Sequence, residues 1–145
     1  MKRIIFLMFL TGVFFVSCRH LDDAPVPVIP NCDKNAVVDE MGLDQISTVY
    51  YGITDVVLNG HCLEVTIGAS GCNPNDWDMN LFAVPSDATV YPPLFNAKIQ
   101  LIHNQACLAV FQKTMSFDVI SLQMTGTNQV QIDIEGWNTP IIYQY

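Results

Sequence analysis

Five cysteines and three histidines are the residues best equipped for chemistry in this chain of 145. Cys18, Cys32, Cys62, Cys72 and Cys107 show no C-x₂-C spacing, and His20, His61 and His103 show no H-x₃₋₅-H spacing, so no zinc site is expected. Ser70 stands in Gly68-Ala69-Ser70-Gly71. That is not the G-x-S-x-G elbow of a serine hydrolase, and no helical pattern follows it. Spacing nominates no Ser/His/Asp set and no phosphate-cradling glycine loop. The reading is a protein without enzymatic activity, cofactor or metal.

One polar loop could bind something. Asp76-Trp77-Asp78-Met79-Asn80 alternates oxygen donors as the opening of a calcium loop does, with Asp87 at its twelfth position. Leu81 occupies the place where the sharp turn needs glycine, and Asp replaces the bidentate Glu. The segment therefore reads as a solvated turn, with Asp76 and Asp78 as weak binding candidates. Trp77 is the stronger candidate, because an aromatic ring on a polar loop can anchor a protein or stack on a sugar.

The N-terminus gives an address. Lys2 and Arg3 precede an apolar run from Ile4 to Val16, broken by Thr11 and Gly12. As a helix that run is roughly 20 Å long, too short for a bilayer core of about 30 Å, and it reads as a signal peptide. It ends in Phe15-Val16-Ser17-Cys18, which resembles a bacterial lipobox with Phe in place of the usual Leu. The resemblance implies cleavage before Cys18 and diacylglycerol on its thiol. Several acyl chains anchor stably, at about 0.8 kcal/mol per buried CH₂. Arg19, rather than Asp, follows the cysteine, so the resemblance points to the outer membrane, with the periplasmic or surface side open. Residues 19–30 contain Asp22-Asp23 and then Pro25, Pro27 and Pro30, an extended tether.

Lipidation of Cys18 would leave four cysteines in an oxidising compartment, enough for two disulfides in any of three pairings. The favoured pairing is Cys72–Cys107 with Cys32–Cys62. Cys62 alternates with Leu63, Val65 and Ile67, so it points away from their face and is placed to staple the N-terminal segment. A Cys72–Cys107 bond would contribute about 3–4 kcal/mol on the chain-entropy account.

The elements that position these residues read as strands. Val49, Tyr51 and Ile53 alternate towards Val56-Val57-Leu58, and Asn59-Gly60 supplies the two residues of a hairpin turn. Cys62 to Ile67 forms the returning strand. Leu81 to Val84 is a short strand, and Phe95, Ala97, Ile99 and Leu101 lie on one face of another. Ala106 to Phe111 reads as a central strand, apolar on both faces. A short element follows at Phe117 to Val119, then strands at Val130 to Ile134 and Ile141 to Tyr145. Asp39 to Ser47 has room for one turn of helix. Trp137 and Tyr143 read as edge packing.

Seven to eight strands with many turns predict an all-β fold, an antiparallel sandwich of immunoglobulin-like size. Gly71-Cys72, a strand ending at His103, then Cys107 and Phe117-Asp118-Val119 resemble small exported bacterial β-domains. That resemblance supports the sandwich and the Cys72–Cys107 pair and implies no activity. The division is signal peptide 1–17, lipidated tether 18–30 and one β-sandwich 31–145. Removing 1–17 takes the net charge from −8 to −10. Half of the residues are hydrophobic and 14% charged, which excludes disorder, and an acidic chain repels nucleic acid. The function expected is a non-catalytic, membrane-tethered binding or accessory domain with a protein or glycan partner. A protease inhibitor presenting a disulfide-stapled loop, Gly71 to Asn80, is the alternative.

Overall fold

The computed structural model describes residues 31–145. The expected signal peptide, Cys18, His20 and the expected tether fall outside the described residues. Strands β3 (Tyr51–Asn59) and β4 (Cys62–Ser70) form the expected hairpin. Its turn sits one residue later than the Asn-Gly signal suggests. Asn59 still pairs with Cys62, and only Gly60, at φ +60°, takes a positive φ there. Glycine at the first turn position fits a II′ turn, whereas I′ would need positive φ at both central residues.

Strand β7 (Val110–Asp118) pairs antiparallel with β4 and parallel with the short β1 (Lys34–Asn35), giving the order β1-β7-β4-β3. The second sheet has the order β2-β5-β6-β8-β9. It is built from β2 (Val37–Val38), β5 (Asp78–Pro85), β6 (Leu94–Ile102), β8 (Gln129–Ile134) and β9 (Ile141–Gln144). One turn of helix, α1 (Glu40–Leu43), falls within the expected window.

The fold is mostly β, but both sheets are mixed, which corrects the purely antiparallel expectation. β1 with β7, β2 with β5 and β6 with β8 all run parallel. The cause is crossing between sheets. After β6 the chain forms β7 in the opposite sheet before returning as β8, and such a crossover is what a parallel pair requires. The N-terminal segment likewise gives two residues to each sheet. A second correction concerns Ala106 to Phe111. Residues 103–109 belong to no strand, β7 begins at Val110, and the element expected at Phe117 is the end of β7. An apolar run without alternation cannot distinguish a buried strand from an apolar loop.

Period-2 alternation does set the core. Leu63, Val65 and Ile67 face Met79, Leu81, Ala83, Phe95, Ala97, Ile99, Val130 and Ile132, all buried in one cluster. A fully buried Leu, Ile or Val contributes about 1.5–3 kcal/mol relative to leaving it exposed. Disulfides join Cys32 to Cys62 and Cys72 to Cys107. They indicate an oxidising, exported environment. Cys62 lies opposite the core face but is buried, because the bond to Cys32 brings the N-terminal segment over it. Asp33 and Ser116 then bond reciprocally. Asp33 N–H donates to Ser116 Oγ at 2.9 Å, and Ser116 N–H and O–H both donate to the Asp33 carboxylate at 2.8 Å. Lys34 Nζ reaches Asp78 in the other sheet at 2.6 Å. Among the described residues, no helix is long and apolar enough to cross a membrane.

Tyr143 is not edge packing. Its ring is fully buried, and its hydroxyl lies 2.6 Å from His61 Nδ1 and accepts from Gln123 Nε2 at 2.7 Å. Burial pushes the Tyr143 hydroxyl pKa up. Replacing Tyr143 by Phe leaves both partners unsatisfied, and should cost about 1–3 kcal/mol in urea unfolding with the disulfides intact. An unchanged midpoint would show that this bond pair does not stabilise the fold.

Candidate functional site

Residues 103–109 have no strand ladder, so their position must be fixed by other means. The Cys72–Cys107 disulfide is one. Gln105 is the other. Its Oε1 accepts from Cys72 N–H at 2.7 Å, Asn73 N–H at 3.0 Å and Trp77 Nε1–H at 3.0 Å, while its Nε2 donates to Asn73 O at 3.1 Å. Gly71 N–H closes the arrangement on Ala109 O at 2.8 Å. Two irregular loops thus satisfy each other's polar groups.

Trp77 belongs to this scaffold rather than to the surface. It is 2% exposed, its ring stacks on His103 with centroids 5.5 Å apart, and Lys113 Nζ donates to its carbonyl at 2.7 Å. The contact role expected for Trp77 is therefore corrected. Its indole N–H has a partly buried acceptor in Gln105, which makes burial of the whole ring tolerable. Asp76 is exposed and accepts from Asn73 Nδ2 at 3.1 Å. The hydrogen bond from Lys34 holds Asp78 below the usual carboxylate range, and its oxygens also take the Met79 amide. These carboxylates face different partners and do not converge as calcium ligands. Among the described residues, no group of three or more His, Cys, Asp or Glu side chains could hold a metal. His61 is engaged with Tyr143 and His103 with Trp77, so the histidines are not brought together.

The fixed loop forms one wall of a cleft of about 800 Å³. The opposite wall is the segment from Gln45 to Tyr51, and Gln100, Leu101 and Ser70 lie between them. A shallower depression of about 260 Å³ shares Val49, Tyr50, Tyr51 and Ser70 and adds Val110. No Asp, Glu, Lys or Arg lines either hollow. The rim is apolar and exposed, with Leu108 at 92%, Val49 at 78% and Tyr50 at 74%. Volume and lining fit a binding site for an uncharged ligand.

Tyr51 braces the cleft floor. Its hydroxyl donates to Ile99 O at 2.5 Å, linking β3 of one sheet to β6 of the other. Burial, with a smaller contribution from the negative charge of Glu135, pushes its pKa up to about 12.

Sequence reasoning missed Gln105, Tyr50 and Leu108. A lone Gln carries no motif, although its place two residues before a paired cysteine is a usable signal. Leu108 was hidden inside the run read as a strand.

No protein-family model matches the chain, and no curated protein does. A solved structure with the same general fold is a protein of unknown function, DUF1344, from Bacteroides vulgatus. It is 13% identical, with a TM-score of 0.51 over 77% of this chain. This chain spans 56% of that protein, so the likeness concerns architecture alone.

Two outcomes test the scaffold. A Cβ at Gly71 would lie 2.7 Å from Trp77 Cζ2 and 2.8 Å from Gln105 Oε1. Gly71→Ala should therefore destabilise by about 1–3 kcal/mol and alter tryptophan fluorescence; unchanged values would mean that the loops are not tightly packed. Tyr51 should be titratable separately. Its folded pKa lies above the ordinary tyrosine value of about 10, so its stabilisation is complete below pH 10 and is lost as pH rises towards about 12. Phenolate absorbance should show a late step that disappears in Tyr51→Phe, and persistence of that step would assign it elsewhere.

Proposed function

We propose that this chain is a non-catalytic bacterial lipoprotein, tethered through Cys18 to the outer membrane, whose sandwich holds a partner in the cleft beside residues 103–108. The observation that carries the reading is a cleft without charged side chains, rimmed by exposed Val49, Tyr50 and Leu108, on a chain of net charge −8. Exposed apolar side chains grouped around a concavity are the usual mark of a binding surface.

The tether reading rests on Lys2-Arg3, the apolar run and Phe15-Val16-Ser17-Cys18. The position of Cys32 agrees with it. Cys32 is bonded at the start of β4, and Ser70 at the end of β4 lines the cleft. Eight steps of strand separate those residues, about 26 Å. A tether joined at Cys32 would thus leave the cleft at the far pole, facing away from the membrane.

An immunoglobulin-like description is part of the proposal only as a likeness of size and two-sheet architecture, since the β6–β8 parallel pair departs from that connectivity. A protease inhibitor is the second reading, favoured by Leu108 exposed beside disulfide-fixed Cys107. The glycan reading relied on Trp77, whose burial removes that contact.

The test is capture in the native envelope. A photo-crosslinking residue at position 50 should trap a partner, and Leu108→Asp should abolish the adduct. Adducts that ignore Leu108→Asp, or no adduct at all, would overturn the binding role. Cys18→Ala should abolish incorporation of labelled lipid, and retained label would overturn the tether.

A further inference from the structure

The second sheet is uneven beside the cleft. β6 runs to Ile102, but β8 pairs with it only from Leu94 to Ala97. In a strand, successive residues direct their backbone groups to opposite edges. Ser86 N–H donates to Leu94 O, which turns the even-numbered residues of β6 towards β5. Gln131 N–H donates to Pro93 O and Glu135 N–H to Ala97 O, which turns the odd-numbered residues towards β8. By the same alternation, the backbone groups of Ile99 and Leu101 point to the side where β8 has already ended. Tyr51 takes the Ile99 carbonyl, and Leu101 lines the cleft.

We infer that the cleft accepts an extended, uncharged peptide segment of a partner protein, added as a short strand along β6 past the end of β8. This rests on the binding role proposed above and names the class of partner. Main-chain groups of a β-strand addition supply affinity, while alternate side chains fall into flanking pockets. Here the amide and carbonyl of Leu101 supply the ladder. Val49, Tyr50 and Leu108 receive the apolar side chains, and Val110 extends that surface in the adjoining hollow. Charge selects the occupant. A lining without Asp, Glu, Lys or Arg offers no partner to a charged side chain, which would be desolvated without compensation. Polar side chains such as Gln45, Ser47 and Gln100 also line the cleft, so what favours a peptide over a saccharide is the backbone edge at Leu101 together with the exposed aliphatic Val49 and Leu108.

The probe is a synthetic panel of uncharged heptapeptides alternating Val, Tyr and Thr, with a matched panel carrying Asp or Lys at alternate positions. The full chain is assayed in detergent micelles, with hydrogen exchange as the readout. Uncharged peptides should bind and slow exchange at Ile99 and Leu101, and the charged panel should bind at least about tenfold more weakly. Leu108→Asp and Val49→Asp alter exposed positions, and each should weaken binding about tenfold while leaving exchange in β4 unchanged. Absence of binding near 1 mM, or binding without protection at Leu101, overturns the inference. So does preferential binding of a neutral oligosaccharide panel, or pairing of two copies of the chain through Leu108. If position-50 crosslinking still traps a partner while the peptides fail, the binding role stands and the strand-addition inference alone is lost. If crosslinking fails as well, both fall.

Discussion

Two sheets with apolar inner faces must close on each other, and the structure depends on where that closure stops. The faces match along β4, along β5 to Ala83 and along β6 to Ile99, where the inward residues are buried. They do not match at the end of β6, because β8 has six residues against the nine of β6. Water would reach the core there if nothing bridged the gap. Ile46, in the segment after α1, is buried beside the cleft, and Tyr51 supplies a hydrogen bond from the first sheet to Ile99. The cleft is the part of this gap that remains open.

A bridge made of loops brings its own cost, since loop backbone must be hydrogen-bonded without a ladder. Gln105 answers that requirement with a single amide. It satisfies two backbone amides, one indole and one backbone carbonyl, and the adjacent disulfide restrains what the hydrogen bonds do not. The consequence is a firm wall that can present Leu108 to solvent without collapsing over it. Gly71 is required at the same point because the Trp77 ring fills the space of a side chain.

Strand alternation was legible wherever one face is buried and the other is polar, as in Val130, Ile132 and Ile134. It failed where chemistry and geometry separate. Ala106 to Phe111 is as apolar as a central strand, yet only Val110 and Phe111 join one; residues 106–109 are placed by the Cys72–Cys107 disulfide, the neighbouring Gln105 and the Gly71–Ala109 bond, which leave no periodic trace. Trp77 reads as a contact residue from its polar loop and Tyr143 as edge packing; each is buried because a partner distant in sequence, Gln105 or Gln123 with His61, meets its polar atom. The parallel pairs were equally illegible, for they follow from the order in which strands visit the two sheets. For the cleft, Val49 and Tyr51 read as strand residues, whereas Tyr50 carries no signal of its own, and their meeting with Leu108 is a tertiary fact.

Charge distribution connects the fold to the proposed role. The carboxylates whose pKa is lowered are structural: Ser116 holds Asp33, Lys34 holds Asp78, and Thr48 together with Lys98 holds Glu135. Each ties one segment to another, and none lines the cleft. An acidic chain with a neutral concavity repels polyanions over long range while leaving the concavity free of desolvation penalties for uncharged groups. If the chain is tethered as proposed, through Cys32 at the opposite end of β4, the same arrangement would present that concavity outward. The unmatched end of β6, the loop wall and the absence of charge then act together, because each would be of little use to a ligand without the other two.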